Sequence, residues 1–279
     1  AIEALGPSTS GHSDRVATMT VEMAKVIDTV QLGPYRDIKF TPEQLQEVRY
    51  AALLHDFGKI GVRENILLKA NKLYPHELET ILMRIKTLCY KCEAQIWKDT
   101  AENMAFLASN QKLTHPQALL GESHIKVDRF KREIEEIKKG IYLANESQVM
   151  KNDFDIQGLL RWLEVASQSF EQNILTHDEK NRLSIARGTL SVEERKEIES
   201  HVTHTYLFLS QIAWTDDLKR VPEIAHAHHE KLDGTGYPRK LSANHIPIQS
   251  RIMTIADIYD ALTAMDRPYK KACTPERAI

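Results

Sequence analysis

Long hydrophobic runs and an excess of charge of one sign are both missing from this chain. Although 42% of its 279 residues are hydrophobic, no apolar run approaches the roughly 18 residues that a membrane-spanning helix needs. The net charge is −2, so no basic surplus indicates a nucleic-acid polymer or an anionic membrane as a partner. We therefore expect a cytoplasmic protein without a membrane segment.

Cysteine is scarce as well. The chain has three cysteines, an odd number that fits a reducing compartment better than a disulfide framework. Cys89 and Cys92 form a lone C-x-x-C inside a strongly helical stretch, and a zinc or redox role would need a turn or a second cysteine pair. We predict that these two thiols take part in core packing.

Apolar and polar residues never alternate with a period of two for long enough to predict a β-sheet, whereas helical periodicity is extensive. Residues 13–31 place apolar side chains at helical spacing, and Gly33 and Pro34 end that run. Thr41-Pro42-Glu43-Gln44 has the form of a capping box, and the helix that it starts runs to His55 and Asp56. The sequence therefore predicts an all-α fold.

Residues 77 to about 175 differ from the segments on either side in their pattern of charged and apolar residues. They form long, charged, amphipathic helical patterns without the histidine–aspartate pairs found elsewhere. This stretch predicts an inserted helical hairpin or bundle, after which the compact domain resumes at residues 184–209. Two interpretations stay open for the insertion: a packing elaboration, or an element for dimerisation or signal transmission through coiled-coil-like contacts.

Both ends predict that the chain is part of a longer protein. Ala1 is not an initiator methionine, and a helix that starts at Thr274 and Pro275 stops after four more residues. We expect a truncated C-terminus and a missing N-terminal regulatory segment.

Histidines and carboxylates stand where apolar helices end. His55 and Asp56 follow "AALL", and Asp257 follows "RIMTIA"; an ionised carboxylate there needs a cation or strong donors. His228 and His229 are adjacent in "HAHHEKLDGTGYP". Imidazoles with carboxylates, and no cysteine cluster, suit Zn, Fe or Mn, and a pair of metals suits displacement at phosphorus.

Four motifs in order carry a resemblance to a known family: "HSDRVA", "HDFGKIG", "HHEKLDGTGYP" and "ADIYDALTAMDRPYK". Together they resemble an HD-GYP domain, the bacterial cyclic di-GMP phosphodiesterase branch of the HD superfamily, in its insertion-bearing subset. The resemblance covers about residues 8–73 and 184–279. It implies an HD-type helical bundle whose core has two halves, residues 1–73 and 184–279, separated by a helical insertion at 74–183.

The resemblance also implies a metal centre built from seven side chains. One metal would be held by the quartet that HD proteins share, and Asp56 would bridge it to a second metal held by three further histidines. The quartet is His12, His55, Asp56 and Asp257, and the three further histidines are His201, His228 and His229. We expect two divalent metal ions, with Fe or Mn favoured. His204 shares a helix face with His201, so spacing alone leaves either as the ligand; the family pattern favours His201.

Three cations would contact the substrate if the resemblance holds. Lys59 would lie near the scissile phosphate and protonate the leaving ribose oxygen, with Asp56 as its catalytic partner at the metals. Arg267 and Lys270 would grip a substrate phosphate. Without the family pattern, Lys59 would be a helix-end cation and the other two would belong to a solvated turn.

The GYP loop supplies the most specific part of the resemblance. Its glycines allow positive φ and close backbone approach, and its Asp and Tyr are expected to brace the loop; the signature residues are Asp233, Gly234, Gly236, Tyr237 and Pro238. Elsewhere the chain departs from the family. Many members have a glutamate, associated with a third metal, where this chain has Ser8. We therefore expect a binuclear site, with pGpG as the main product.

The function implied is metal-dependent hydrolysis of cyclic di-GMP. Two alternatives remain at this point: a phosphohydrolase of another cyclic dinucleotide or nucleotide, and a metal-binding sensor or docking domain with little or no turnover. Homodimerisation and GGDEF-type signalling proteins are the expected protein partners.

Overall fold

The computed structural model describes residues 11–147, 155–264 and 272–278. In those ranges every regular element is a helix, and the β-type pairing found there is an isolated bridge between Asp233 and Ser242. The predicted all-α fold is confirmed.

The chain divides into two compact units. One comprises Ala1–Leu68 together with Val192–Ile279, and the other is Lys69–Ser191. The first unit is therefore built from both ends of the chain. The insertion expected at 74–183 falls within the bounds of the second unit.

The first unit contains eight α-helices within its described residues. They are α1 (His12–Thr29), α2 (Pro42–Leu54), α3 (Glu64–Leu67), α8 (Val192–Glu199), α9 (His201–Leu209), α10 (Val221–His226), α11 (Ile248–Thr263) and α12 (Pro275–Ala278). A 3₁₀ helix, Phe57–Gly61, follows α2 and packs against α9. Helix α1 packs against both α2 and α11, so the two ends of the chain share one core.

Small side chains bring these helices close together. Val16 and Ala17 of α1 pack in a buried apolar cluster with Ala51 and Ala52 of α2, and Ala256 joins them from α11. Alanine lets helix backbones approach without a gap, which is how a close-packed interior is reached. The helix ends that bear His12, His55 and Asp257 are thereby held on one framework.

Local signals in the sequence fix the ends of α1 and α2. The Thr41 hydroxyl accepts a hydrogen bond from the Gln44 backbone N–H, and the Gln44 side chain accepts one from the Thr41 N–H, so the predicted capping box is confirmed. Gly33 takes a φ of 83° after α1, a conformation that favours glycine. Helix α2 ends at Leu54, immediately before His55.

The second unit is dominated by two long helices that pack against each other. Its helices are α4 (Pro75–Ser109), α5 (Pro116–Asn145), α6 (Ile156–Ser169) and α7 (His177–Leu183). Ile81, Ile85 and Leu88 of α4 are fully buried in its apolar core. Of the two thiols predicted to take part in core packing, Cys89 packs against that core, whereas Cys92 is half-buried and is not part of that cluster. Burial raises the pKa of both thiols.

None of the described helices combines the length and the hydrophobicity that crossing a membrane would require.

Candidate metal centre

The seven predicted ligands come from helix ends and from one internal helix position of the first unit. His12 is the first residue of α1 and His201 the first of α9. His55 and Asp56 follow α2, His228 and His229 lie in the turn after α10, and Asp257 is on α11. Ligand atoms from these residues lie within 4.8 Å of one another in three overlapping groups: His12, His55 and Asp257; His55, Asp56 and His228; and His201, His228 and His229.

Three of the histidines are held in the same way. Each donates its Nδ1–H to the backbone carbonyl three residues earlier: His55 to Ala52 and His228 to Ala225, both at 2.7 Å, and His201 to Ile198. This bond fixes the tautomer of the neutral ring, because a neutral imidazole that donates from Nδ1 has a lone pair at Nε2.

The Nε2 atoms of these three histidines are the notable polar atoms of the site. All three are buried, and none has a hydrogen-bond partner among the described residues. A buried imidazole nitrogen without a partner is costly, whereas the same nitrogen is a good donor to Zn, Fe or Mn. The observed donor set therefore fits a metal centre.

Two carboxylates lie among the imidazoles. Asp56 places one oxygen 3.4 Å from His55 Nε2 and 3.6 Å from His12 Nε2, and its other oxygen 3.3 Å from His201 Nε2. Asp257 lies 3.2 Å from His12 Nε2 and 4.0 Å from His55 Nε2. Asp56 thus touches histidines of both predicted metal sites, as a bridging ligand would.

The surroundings keep both carboxylates ionised. Burial acts to raise the pKa of Asp56, but the Lys59 ammonium, joined by His55 and His201 when their rings are protonated, holds it well below its ordinary value. At Asp257 burial acts in the same direction, and His12 and His55, when their rings are protonated, hold the pKa below its ordinary value. Metal binding requires the deprotonated carboxylate, so these environments prepare both side chains for it.

The paired histidines are kept neutral. Burial, followed by the proximity of His229 and His55, places the pKa of His228 well below its ordinary value. Burial and the neighbouring His201 lower the pKa of His229 to about 4. The ring centroids of His228 and His229 are 4.0 Å apart, which is feasible because α10 has ended and the two side chains are no longer tied to helical directions.

Lys59 reaches the centre from the 3₁₀ helix. Its Nζ lies 2.5 Å from Asp56 Oδ2, and its side chain is 27% exposed. The ammonium therefore contacts the carboxylate, on a side chain that is partly exposed to solvent. This position allows it to meet a ligand at the rim of the centre.

Thr205 ties this helix to α9, a contact that the sequence analysis missed. Its hydroxyl donates to the His55 carbonyl at 2.9 Å and accepts from the Gly58 N–H at 2.8 Å. Gly58 itself has no room for a side chain, because an added Cβ would lie 2.5 Å from the Thr205 backbone nitrogen. The residues flanking Asp56 are thereby fastened to the helix that bears His201.

Asp260 was also missed. It lies one helical turn beyond Asp257, is buried, and accepts a 2.7 Å hydrogen bond from His12 Nδ1. Arg15 donates to its two oxygens at 2.6 and 3.0 Å. The i, i+3 spacing of the two aspartates was the available signal, since it puts both on one face of α11.

The GYP loop is held by hydrogen bonds within the loop and by close contact with the residues that precede it. Asp233 accepts hydrogen bonds from the backbone and hydroxyl of Thr235, at 2.9 and 2.7 Å. Gly234 has a φ of 76°, whereas Gly236 is required by contact, since an added Cβ would lie 2.5 Å from Glu230 Cα.

The loop also touches the centre directly. The Tyr237 ring lies 4.8 Å from that of His229, and burial raises the pKa of its hydroxyl. Glu230, which the sequence analysis did not assign, is buried and accepts the backbone N–H groups of Arg239 and Leu241 at 2.7 and 2.8 Å. These bonds fix the chain that follows Pro238.

Two further histidines stand apart from the centre. His204 is exposed on α9 and lies beside Gly61, so it does not join the group around Asp56. His226 stacks on Tyr206 with centroids 4.2 Å apart, and burial lowers its pKa to about 4.

Three predicted residues, Ser8, Arg267 and Lys270, lie outside the described residues.

Comparisons with known proteins agree with this geometry. Two family profiles described as HD domain match residues 9–104 and 178–279. The chain is 40% identical over 92 residues to 3'3'-cGAMP-specific phosphodiesterase 3 of Vibrio cholerae, an overlap of 33% of this chain and 19% of that protein. It is 38% identical over 99 residues to a cyclic di-GMP phosphodiesterase of Thermotoga maritima, covering 36% of this chain and 26% of the relative. A 56-residue stretch, 20% of this chain, is 52% identical to a cyclic di-GMP phosphodiesterase of Vibrio cholerae and covers 11% of it.

These matches define the class of protein. The chain is an HD domain protein. Within that class it belongs to an HD-GYP-type family, as its motifs predicted. The matched part spans about a fifth to a quarter of the length of the first two relatives.

Proposed function

We propose that this chain is a metal-dependent phosphodiesterase that hydrolyses cyclic di-GMP. The observation that carries the proposal is the set of buried, unpartnered Nε2 atoms of His55, His201 and His228 around the Asp56 carboxylate. Relatives from Thermotoga maritima and Vibrio cholerae that bear the name cyclic di-GMP phosphodiesterase support the substrate class.

The centre would hold two divalent cations, with Fe or Mn favoured by a set of imidazole and carboxylate donors. The residues proposed for the first cation are His12, His55, Asp56 and Asp257, and those for the second are Asp56, His201, His228 and His229. When bound, such a pair supplies an activated water and neutralises charge at a phosphodiester. The chain itself contributes a buried set of metal-binding side chains held in fixed positions.

Lys59 is proposed as the acid for the leaving group. Its ammonium lies 2.5 Å from Asp56 and is partly open to solvent, so it can hold a proton beside the reacting phosphate and give it to the departing ribose oxygen. Arg267 and Lys270 are proposed to bind a substrate phosphate through charge-assisted hydrogen bonds.

Two finer points follow from the sequence rather than from the described residues. Serine at position 8 replaces an anionic ligand with a poor one, which favours two metals over three. We accordingly propose pGpG as the main product. The expected homodimer, GGDEF-type partners and cytoplasmic location also stay predictions.

A second substrate is favoured by a specific observation. Three relatives from Vibrio cholerae, matching at 40%, 40% and 42% identity, are named 3'3'-cGAMP-specific phosphodiesterases. The two candidate substrates differ in one base, whereas the proposed centre acts on the phosphodiester that they share. The base preference of this chain is therefore a separate question from its chemistry.

The test is product chromatography with both dinucleotides. The protein is purified anaerobically, its metals are counted, and it is incubated with cyclic di-GMP or 3'3'-cGAMP. We expect pGpG from cyclic di-GMP, loss of turnover after chelation, and recovery when Mn²⁺ is restored. Faster hydrolysis of 3'3'-cGAMP would show that 3'3'-cGAMP, and not cyclic di-GMP, is the preferred substrate. Two fully bound metals without hydrolysis of either would favour a sensor or docking domain instead.

A further inference from the structure

We propose that Asp260 is the positioning residue that sets the tautomer of His12 and thereby strengthens the metal site to which His12 belongs. This inference rests on the proposed metal ligands. His55, His201 and His228 use neutral backbone carbonyls to hold Nδ1, whereas His12 uses the Asp260 carboxylate at 2.7 Å.

His12 has a particular need for such a partner. Its Nε2 faces two carboxylates, with Asp257 at 3.2 Å and Asp56 at 3.6 Å. In the absence of a stronger acceptor at Nδ1, these oxygens would draw the ring proton to Nε2. A protonated Nε2 cannot bind a metal. Asp260 competes for that proton from the opposite side of the ring, at the shorter distance.

Arg15 keeps Asp260 in the charged state that this competition requires. Arg15 donates to both Asp260 oxygens, at 2.6 and 3.0 Å, and this ion pair favours the ionised form of the buried carboxylate. Arg15 and His12 lie one turn apart on α1, and Asp257 and Asp260 lie one turn apart on α11. The His12 ring is therefore bracketed by two carboxylates of one helix, one at each nitrogen.

Asp260→Asn is an informative variant because of how Arg15 is bound. Arg15 Nε donates to Asp260 Oδ1 at 2.6 Å, and Arg15 Nη2 donates at 3.0 Å to Oδ2, the oxygen that faces His12. An asparagine has one oxygen for these two bonds, and keeping that oxygen on the shorter bond turns its NH₂ group towards His12 Nδ1. His12 would then accept at Nδ1 and carry its proton at Nε2. An equivalent aspartate-to-asparagine change beside a catalytic histidine produces the wrong tautomer in serine proteases.

The experiment reads the tautomer and the metal affinity, without turnover. Long-range ¹H–¹⁵N spectra of metal-free protein in alkaline buffer report which nitrogen of His12 is protonated, and Mn²⁺ titration measures the two binding events. In Asp260→Asn we expect a shift from Nδ1–H to Nε2–H and an affinity about 10- to 100-fold lower at one of the two sites. Glu47→Gln is the matched control, because Glu47 is a buried carboxylate that accepts the Arg220 N–H. It should leave the His12 spectrum and both affinities unchanged.

Retention of the Nδ1 proton and of both Mn²⁺ affinities in Asp260→Asn would overturn the proposal. Equal losses of affinity in the Asp260 and Glu47 variants would overturn it too, since the effect would then be structural. If the asparagine variant does not fold, Asp260→Ala serves in its place. Wild-type Mn²⁺ affinity at both sites in that variant would contradict the proposed role of Asp260. A protein that shows the tautomer change but hydrolyses nothing would leave this inference standing and contradict the proposed activity.

Discussion

At the scale of single residues, the Asp56 carboxylate has the most crowded surroundings in the proposed centre. Its oxygens lie 2.5 Å from the Lys59 ammonium and between 3.3 and 3.6 Å from Nε2 of His201, His55 and His12. A buried carboxylate is costly unless such partners compensate it. In the proposed centre the same carboxylate would be shared by two cations, beside the ammonium that it already contacts.

Lys59→Ala tests the proposed acid. With metal content unchanged, we expect turnover of the cyclic dinucleotide to fall about 10²- to 10⁴-fold, the usual contribution of a positioned acid. Lys25→Ala is the control, because Lys25 is exposed on α1 and pairs with Glu22. Full turnover in a Lys59→Ala protein that keeps its metals would remove the proposed role.

Functional residues could be predicted where a sequence motif contains them. They could not be predicted where their role depends on a contact between residues far apart in the sequence. His55, Asp56 and Asp257 could be proposed because ionisable groups follow apolar runs and match a family pattern. The pairing of Asp260 with His12 joins residues 248 apart, and that of Thr205 with His55 joins residues 150 apart. Spacing along the chain gives no direct measure of such contacts, so both roles needed the structure.

At the scale of elements, the approach of the 3₁₀ helix Phe57–Gly61 to α9 determines whether the centre can form. Gly58 makes that approach, with its backbone N–H bonded to Thr205 and no space for a Cβ against α9. The two nearest atoms in the way belong to the backbone of His201 and Thr205. They cannot swing aside as a flexible side chain would.

Gly58→Ala should therefore be severe. We expect the free energy of unfolding to fall by about 3 kcal/mol or more, the upper range for overpacking, and metal affinity to fall with it. Urea denaturation of the metal-free protein measures the first effect. Gly121→Ala is the control, since Gly121 lies inside α5 and nothing lies within 4 Å of an added Cβ there; it should stabilise the protein by about 0.5–1 kcal/mol. Equal stability of the two variants would contradict this account.

Helix positions were predictable because the signals that end helices are local. The capping box at Thr41 and the stop near Gly33 both depend on a few neighbouring residues. The 3₁₀ form of Phe57–Gly61 was not predicted, since it depends on packing against a helix more than 140 residues further along the chain.

At the scale of the whole molecule, one compact unit is built from both chain ends and a second from the residues between them. The first unit contains all the described candidate ligands. Helices α3 and α8, at the two edges of the second unit, contact each other within the first, and Arg63 Nη2 lies 2.6 Å from Glu197 Oε2 beside them. The chain therefore leaves and re-enters the first unit at one place.

Replacing residues 69–191 by a short Gly/Ser linker tests whether the first unit is self-sufficient. We expect a protein that unfolds cooperatively on heating and still binds two Mn²⁺ ions. Deleting only 74–183 should give a less stable protein, because it leaves the buried Lys72 and Leu73 without their core. A 69–191 deletion that neither folds nor binds metal would show that the insertion is needed to build the centre.

The central claim is that seven side chains of the first unit hold two metals that share Asp56. Anomalous diffraction from Mn²⁺-loaded crystals tests it most directly. We predict two peaks, one bound by His12, His55 and Asp257 and the other by His201, His228 and His229, with Asp56 on both. A single peak, or metals bound by other residues, would contradict the account, and a third peak would contradict the binuclear assignment.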